Sequence, residues 1–93
     1  MVKMEHVDGK DRGKIVLFAL STCGWCARTK EFLRNLGVAF DYVFVDLLPQ
    51  DELNMALEEV ERYNPRGSFP TIVINGKKTI VGFREDELRE ALA

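Results

Sequence analysis

"IVLFALSTCGWCARTKEFLRNL", Ile15 to Leu36, is the stretch that decides the fold. Its first six residues are continuously apolar and β-rich, as expected of a central strand covered on both faces. From Cys23 the spacing changes. Cys26, Thr29, Leu33 and Leu36 recur at helical intervals, Arg28, Glu31 and Arg34 fall off that stripe, and Gly37 suits a C-terminal stop. A buried strand thus hands over to a helix, predicted over Cys23–Leu36, at the place where the two cysteines of the chain stand.

Downstream, "FDYVFVD", Phe40 to Asp46, alternates and is β-branched or aromatic, so it reads as a second strand joined to the first by the helical crossover, a parallel βαβ unit. Pro49 and Asp51 open a second helical pattern with Leu53, Leu57 and Val60 on one stripe, ending before Pro65 because a residue preceding proline resists the helical region. "TIVI", Thr71–Ile74, and "KTIV", Lys78–Val81, flank Asn75 and Gly76, the pairing that best supplies the positive φ angles of a tight antiparallel hairpin. Gly82 breaks the strand pattern, and Asp86–Leu92 reads as a closing helix with Leu88 and Leu92 inward. The order is β-α-β-α-β-β-α, an α/β fold with a four-stranded mixed sheet and flanking helices. Residues 1–13 form an N-terminal arm or a short extra strand, and residues 14–93 a single domain.

A chain of 93 residues, 46% hydrophobic and 30% charged, fits one small domain with a modest core. Its 13 basic and 15 acidic side chains are interspersed, leaving no basic face for nucleic acid. The start, "MVKMEHVDGKDRGK", lacks the apolar core of a secretory signal, and no apolar run reaches membrane-spanning length. The expectation is a cytoplasmic protein with no membrane partner. In that reducing compartment a cysteine pair is more often catalytic or metal-binding than a permanent bridge.

Three readings of the pair compete. As a staple it would close a loop of about four residues and remove only about 2 kcal/mol of unfolded-state entropy. As a zinc site it lacks ligands, since the chain offers only Cys23, Cys26 and the distant His6, so no metal is expected. As a reactive pair it is well placed, because free N–H groups and the positive end of the helix dipole stabilise an anion in a first turn. On that reading Cys23, at the very start, is the exposed nucleophile. Cys26, one turn in and on the apolar stripe, is shielded and resolves the mixed disulfide.

"STCGWC" after a buried strand, "GSFPTIVING" and "VGFREDEL" resemble the glutaredoxin-like branch of the thioredoxin superfamily, over roughly Lys14 to Ala93. The resemblance implies a thioredoxin-like fold in which Pro70 is cis and sits against the cysteines, with the backbone of Phe69 pairing with an extended substrate. It also implies a thiol–disulfide oxidoreductase whose only redox group is the Cys23–Cys26 disulfide, with Trp25, Phe69, Pro70, Gly82 and Phe83 lining the substrate groove. Some relatives instead hold an iron–sulfur cluster between two subunits through the first cysteine. The second cysteine, which a cluster scaffold does not need, favours the enzyme and a monomer.

The departures from the family pattern bear on the electron donor. Glutaredoxins usually carry Pro-Tyr between the cysteines and a lysine three before the first; here those positions are Gly24, Trp25 and Leu20. The glycine pair that often cradles glutathione is replaced by Gly82, Phe83, Arg84, Glu85 and Asp86, a "GFRxD" stretch that resembles redoxins reduced by thioredoxin reductase. The expected partners are disulfide-containing proteins, with a thioredoxin-reductase-type flavoprotein or a low-molecular-weight thiol as donor.

The remaining residues are weighed against plainer roles. Trp25 is expected to be exposed, hence a docking surface rather than core. Phe83 serves equally as docking surface or core closure. Arg28 and Lys30 read as a solvated face, Asp86 as a helix-start residue, and Glu58, Glu59 and Glu61 as solvent-facing helix. His6 receives no role.

Overall fold

β2, Ile15–Ala19, is buried along its whole length because the sheet is covered on both sides. Its side chains alternate: Ile15, Leu17 and Ala19 pack with Cys26, Leu33, Leu88 and Leu92, while Val16 and Phe18 pack with Ala56 and Val60. Two apolar layers therefore sandwich the strand, and each fully buried large aliphatic side chain contributes about 1.5–3 kcal/mol. This is the physical content of the unbroken apolar run. The computed structural model describes residues 2–92; Met1 and Ala93, the outer ends of the two predicted segments, lie outside the described residues.

The elements are β1 (Glu5–Val7), β2, α1 (Gly24–Leu36), β3 (Phe40–Phe44), a 3₁₀ turn (Val45–Leu47), α2 (Gln50–Tyr63), β4 (Thr71–Ile74), β5 (Lys78–Val81) and α3 (Glu85–Leu92). The sheet runs β1-β3-β2-β4-β5, with β2 and β3 parallel and every other neighbour antiparallel. The fold is the expected α/β, thioredoxin-like one, and its sheet has five strands. The arm supplies the fifth: β1 pairs with β3, and the cross-strand partners His6 and Asp41 also bond through their side chains at 2.7 Å.

Three boundaries differ from the sequence-based expectation, each for a local reason. Cys23 is not helical but caps α1 from an extended conformation (φ −92°, ψ 116°). The second strand stops at Phe44 instead of Asp46, because Val45 turns into the α2-side core and Asp46 turns toward the end of β2. The last helix begins at Glu85, so Asp86 lies inside a first turn made of three consecutive carboxylates rather than at its start. The hairpin is as predicted, with Asn75 (φ 55°) and Gly76 (φ 65°) at its centre. Asn75 also bonds back to Lys14 through both its backbone N–H and its side-chain oxygen.

Gly37 closes α1 in the left-handed region, its N–H donating to the Arg34 carbonyl. Among the described residues, no helix is long and apolar enough to cross a membrane.

Candidate active site

The cysteines sit where β2 ends and α1 begins, the edge that a parallel β-α crossover leaves open. A turn closes there when the Cys23 N–H donates to the Leu20 carbonyl at 3.2 Å, and the Cys23 carbonyl then accepts from Ala27 as the helix starts. The Cys23 sulfur takes the place a serine or aspartate side chain usually fills at a helix start: it accepts the Cys26 N–H at 3.2 Å. The first turn of α1 carries no acidic side chain to compete with it.

The two thiols are free and differ in burial. Cys23 is half-buried. Cys26 is 1% exposed, among the aliphatic residues of the α1 and α3 layer. Burial foremost, then the hydrogen bond with Cys23, and to a smaller degree the charge of Asp46, push the Cys26 thiol up to about 12. Gly24, beside it, faces open space: a side chain there would meet nothing within 4 Å outside its chain neighbours.

The predicted groove residues fall into one connected neighbourhood. Trp25 is 59% exposed and lies 6.1 Å from the ring of Phe83, which meets Phe32 edge-on at 5.6 Å. Phe83 is half-buried, so it is both core closure and surface. The Phe69–Pro70 peptide is cis, as the family resemblance implies, and the Pro70 carbonyl accepts the Gly82 N–H at 2.9 Å, tying the loop before β4 to the residue after β5. Phe69 packs against both apolar layers, and on the α1 side it shares a cluster with Cys23, Cys26 and Phe83.

Arg28 and Lys30 take places the sequence did not reveal. The Arg28 guanidinium lies 5.3 Å over Trp25, and the Lys30 ammonium 4.1 Å over Tyr42 on β3. Each rides on an aromatic ring rather than on the sulfur.

Two polar devices escaped the sequence reading. Asp46 accepts from both the N–H (2.9 Å) and the hydroxyl of Ser21, inside the turn that precedes Cys23. Asn64, 5% exposed, donates at 3.1 Å to the Ser68 carbonyl, the Ser68 hydroxyl and the Thr71 hydroxyl, and so shapes the loop that delivers Phe69 and Pro70. For Asp46 a signal existed in the parallel pairing of the two strands, which sets the residues beyond their ends side by side; for Asn64 the only hint was a polar residue at a helix end before proline.

Among the described residues no group of three or more His, Cys, Asp or Glu side chains gathers to hold an ion. A cavity of about 430 Å³ lies on the α2 side of the sheet, lined in part by Val16, Phe18, Ala56 and Val73, away from the cysteines.

Comparison with known proteins agrees with this geometry. The sequence model of the glutaredoxin family matches residues 15–79. The crystal structure of methanoredoxin from Methanosarcina acetivorans is 54% identical, with 98% of this chain and 95% of that chain covered and a TM-score of 0.93. The glutaredoxin of Methanosarcina mazei Go1 is 55% identical over 98% of this chain and 88% of its own, with a TM-score of 0.91. A glutaredoxin-like 8.6 kDa protein encoded in the rubredoxin operon of Clostridium pasteurianum is 32% identical over 74 residues, 80% of this chain and 91% of that protein. With its five-stranded mixed sheet, two cysteines at the β2–α1 junction and a family match spanning most of its length, the chain belongs to the glutaredoxin family.

Proposed function

We propose that the protein is a thiol–disulfide oxidoreductase that reduces disulfides through a mixed-disulfide intermediate on Cys23. One observation carries the reading: the half-exposed Cys23 sulfur accepts the backbone N–H of Cys26 at 3.2 Å, while the thiol of that same residue is sealed in the core. Attack and resolution divide accordingly. The Cys23 thiolate attacks one sulfur of the substrate disulfide, whose S–S bond breaks as a Cys23–substrate bond forms and the first substrate thiolate departs. The Cys26 thiol then gives up its proton and attacks the Cys23 sulfur, forming the Cys23–Cys26 disulfide and releasing the second substrate thiolate, which takes the proton. The substrate has gained two electrons and the dithiol has lost them. A two-electron donor returns the pair to its reduced state.

Substrates of this reading are disulfide-containing proteins, which meet Trp25 and Phe83 on the surface and lie beside Phe69, Pro70 and Gly82. The donor is a thioredoxin-reductase-type flavoprotein or a low-molecular-weight thiol, and the protein works as a cytoplasmic monomer with no redox group besides its own disulfide. Steady-state reduction of a protein disulfide by the wild type, Cys23→Ser and Cys26→Ser tests it. Cys23→Ser is expected to abolish turnover, and a Cys23→Ser protein that still turns over with a protein disulfide would refute the reading.

A further inference from the structure

Ser21 and Asp46 are each two residues beyond a paired position, Ala19 on β2 and Phe44 on β3, and those two strands are parallel neighbours. Their register therefore carries past the strand ends and sets the carboxylate beside the turn that precedes Cys23. Ser21 is a central residue of that turn, which the Cys23 N–H closes onto the Leu20 carbonyl, leaving the Ser21 N–H without a partner inside the turn. Asp46 supplies one, and takes the Ser21 hydroxyl on its second oxygen. Every oxygen of the carboxylate is thus committed to one residue, 25 positions away in sequence.

We propose that Asp46 is a positioning residue for the redox reaction: through its two hydrogen bonds to Ser21 it fixes the Leu20–Cys23 turn and so the place from which the Cys23 sulfur attacks. The inference rests on the redox reading above. It concerns a group that touches neither substrate nor sulfur.

Three further features support it. Asp46 forms no ion pair among the described residues, so no cation competes with Ser21 for its oxygens. The two Ser21 donors hold its carboxyl below the usual carboxylate range, so the acceptor stays charged wherever thiols react. Its charge also helps to raise the Cys26 thiol, which places the carboxylate within electrostatic reach of that residue. The charged and titratable groups acting on Cys26 are Cys23 from the helix cap and Asp46 from the 3₁₀ turn after β3, while Arg28 and Lys30 on α1 are turned to Trp25 and Tyr42.

The test separates hydrogen bonding from charge. Asp46→Asn and Asp46→Ala both remove the charge, but an amide still accepts the Ser21 N–H and donates to its hydroxyl. Their ratio reads the hydrogen bonds alone. In a Cys26→Ser background, the second-order rate of Cys23 alkylation by iodoacetamide is expected to be about 10-fold lower for Asp46→Ala than for Asp46→Asn, within the roughly 100-fold that a misplacement of about 1 Å can cost. In the parent protein the same pair is expected to differ in kcat rather than in KM. Ser21→Ala alters an exposed side chain and keeps the N–H bond, so it serves if Asp46→Ala fails to fold; its expected loss is about 3-fold relative to wild type. Rates of Asp46→Ala and Asp46→Asn within 2-fold of each other, or a Ser21→Ala protein that reacts as fast as wild type, would overturn the assignment. A wild type whose Cys23 does not react at all would instead overturn the redox reading, so the two failures are distinct.

Discussion

The backbone N–H of Cys26 points at the sulfur of Cys23 from 3.2 Å, while the side chain of Cys26 is closed off from solvent. The same residue therefore offers its backbone to the attacking sulfur and withholds its own thiol from competing. That asymmetry arises from helix geometry: a residue three positions past the cap presents its N–H to the cap side chain and its Cβ to the apolar stripe. The consequences are testable in stability and in reactivity.

Because burial raises the Cys26 thiol from 9.0 to about 12, the folded reduced protein holds that proton more tightly than the unfolded chain does. The associated stability is complete below the unfolded value and is lost as pH climbs through the folded one. The melting temperature of the reduced wild type is therefore expected to fall more steeply between pH 9.0 and about 12 than that of Cys26→Ala, which lacks the buried thiol. Parallel curves in thermal melts under reducing conditions would contradict the assignment.

Asn64→Ala removes a donor shared by three acceptors in a site 5% exposed, leaving the Ser68 and Thr71 oxygens without that partner. The expected cost is about 1–3 kcal/mol, or a melting temperature lower by roughly 4–24 °C for a domain of this size. Urea unfolding at neutral pH reads it directly. An unchanged midpoint would mean that water replaces the amide without loss.

Trp25 is exposed, tilted against Phe83 and covered by Arg28, so its removal should cost little fold stability, within about 0.5 kcal/mol. On a protein disulfide, Trp25→Ala is expected to raise KM by roughly 10-fold, about 1.4 kcal/mol of lost contact, while a small symmetrical disulfide is reduced at nearly the wild-type rate. Equal losses on both substrates would move Trp25 from docking to chemistry.

Leu20 stands where glutaredoxins usually carry a lysine, and in the structure it packs against the α2-side core, with its carbonyl committed to Cys23. It offers no cation to a glutathione carboxylate. Losing one charge-assisted contact costs about 1.5–3 kcal/mol, roughly 10- to 150-fold in affinity. Turnover with glutathione and its recycling enzyme is expected to be slower than with a thioredoxin-reductase system, and glutathione rates equal to those of ordinary glutaredoxins would refute this.

The fold was readable wherever one local force dominated. An unbroken apolar run could only be a strand buried on both faces, and Asn75-Gly76 could only be a tight hairpin. What stayed hidden depends on pairing across the chain. The end of β3 at Phe44 is set by Asp46 reaching Ser21, and no pattern within "FDYVFVD" announces it. The stacking of Arg28 on Trp25 and of Lys30 on Tyr42 likewise needs the helix and its neighbours in place. The burial difference between the cysteines was legible because it follows from helical spacing alone, whereas the Asn64 network that shapes the Phe69–Pro70 loop requires three partners up to seven residues away.

The most direct test of the division between the two thiols is intact-protein mass spectrometry after Cys26→Ser and Cys23→Ser are each mixed with a substrate disulfide. Cys26→Ser is predicted to accumulate a covalent adduct on Cys23 that a reductant reverses, and Cys23→Ser to remain unmodified. An adduct on Cys26 in the Cys23→Ser protein, with none on Cys23 in the other, would contradict the account.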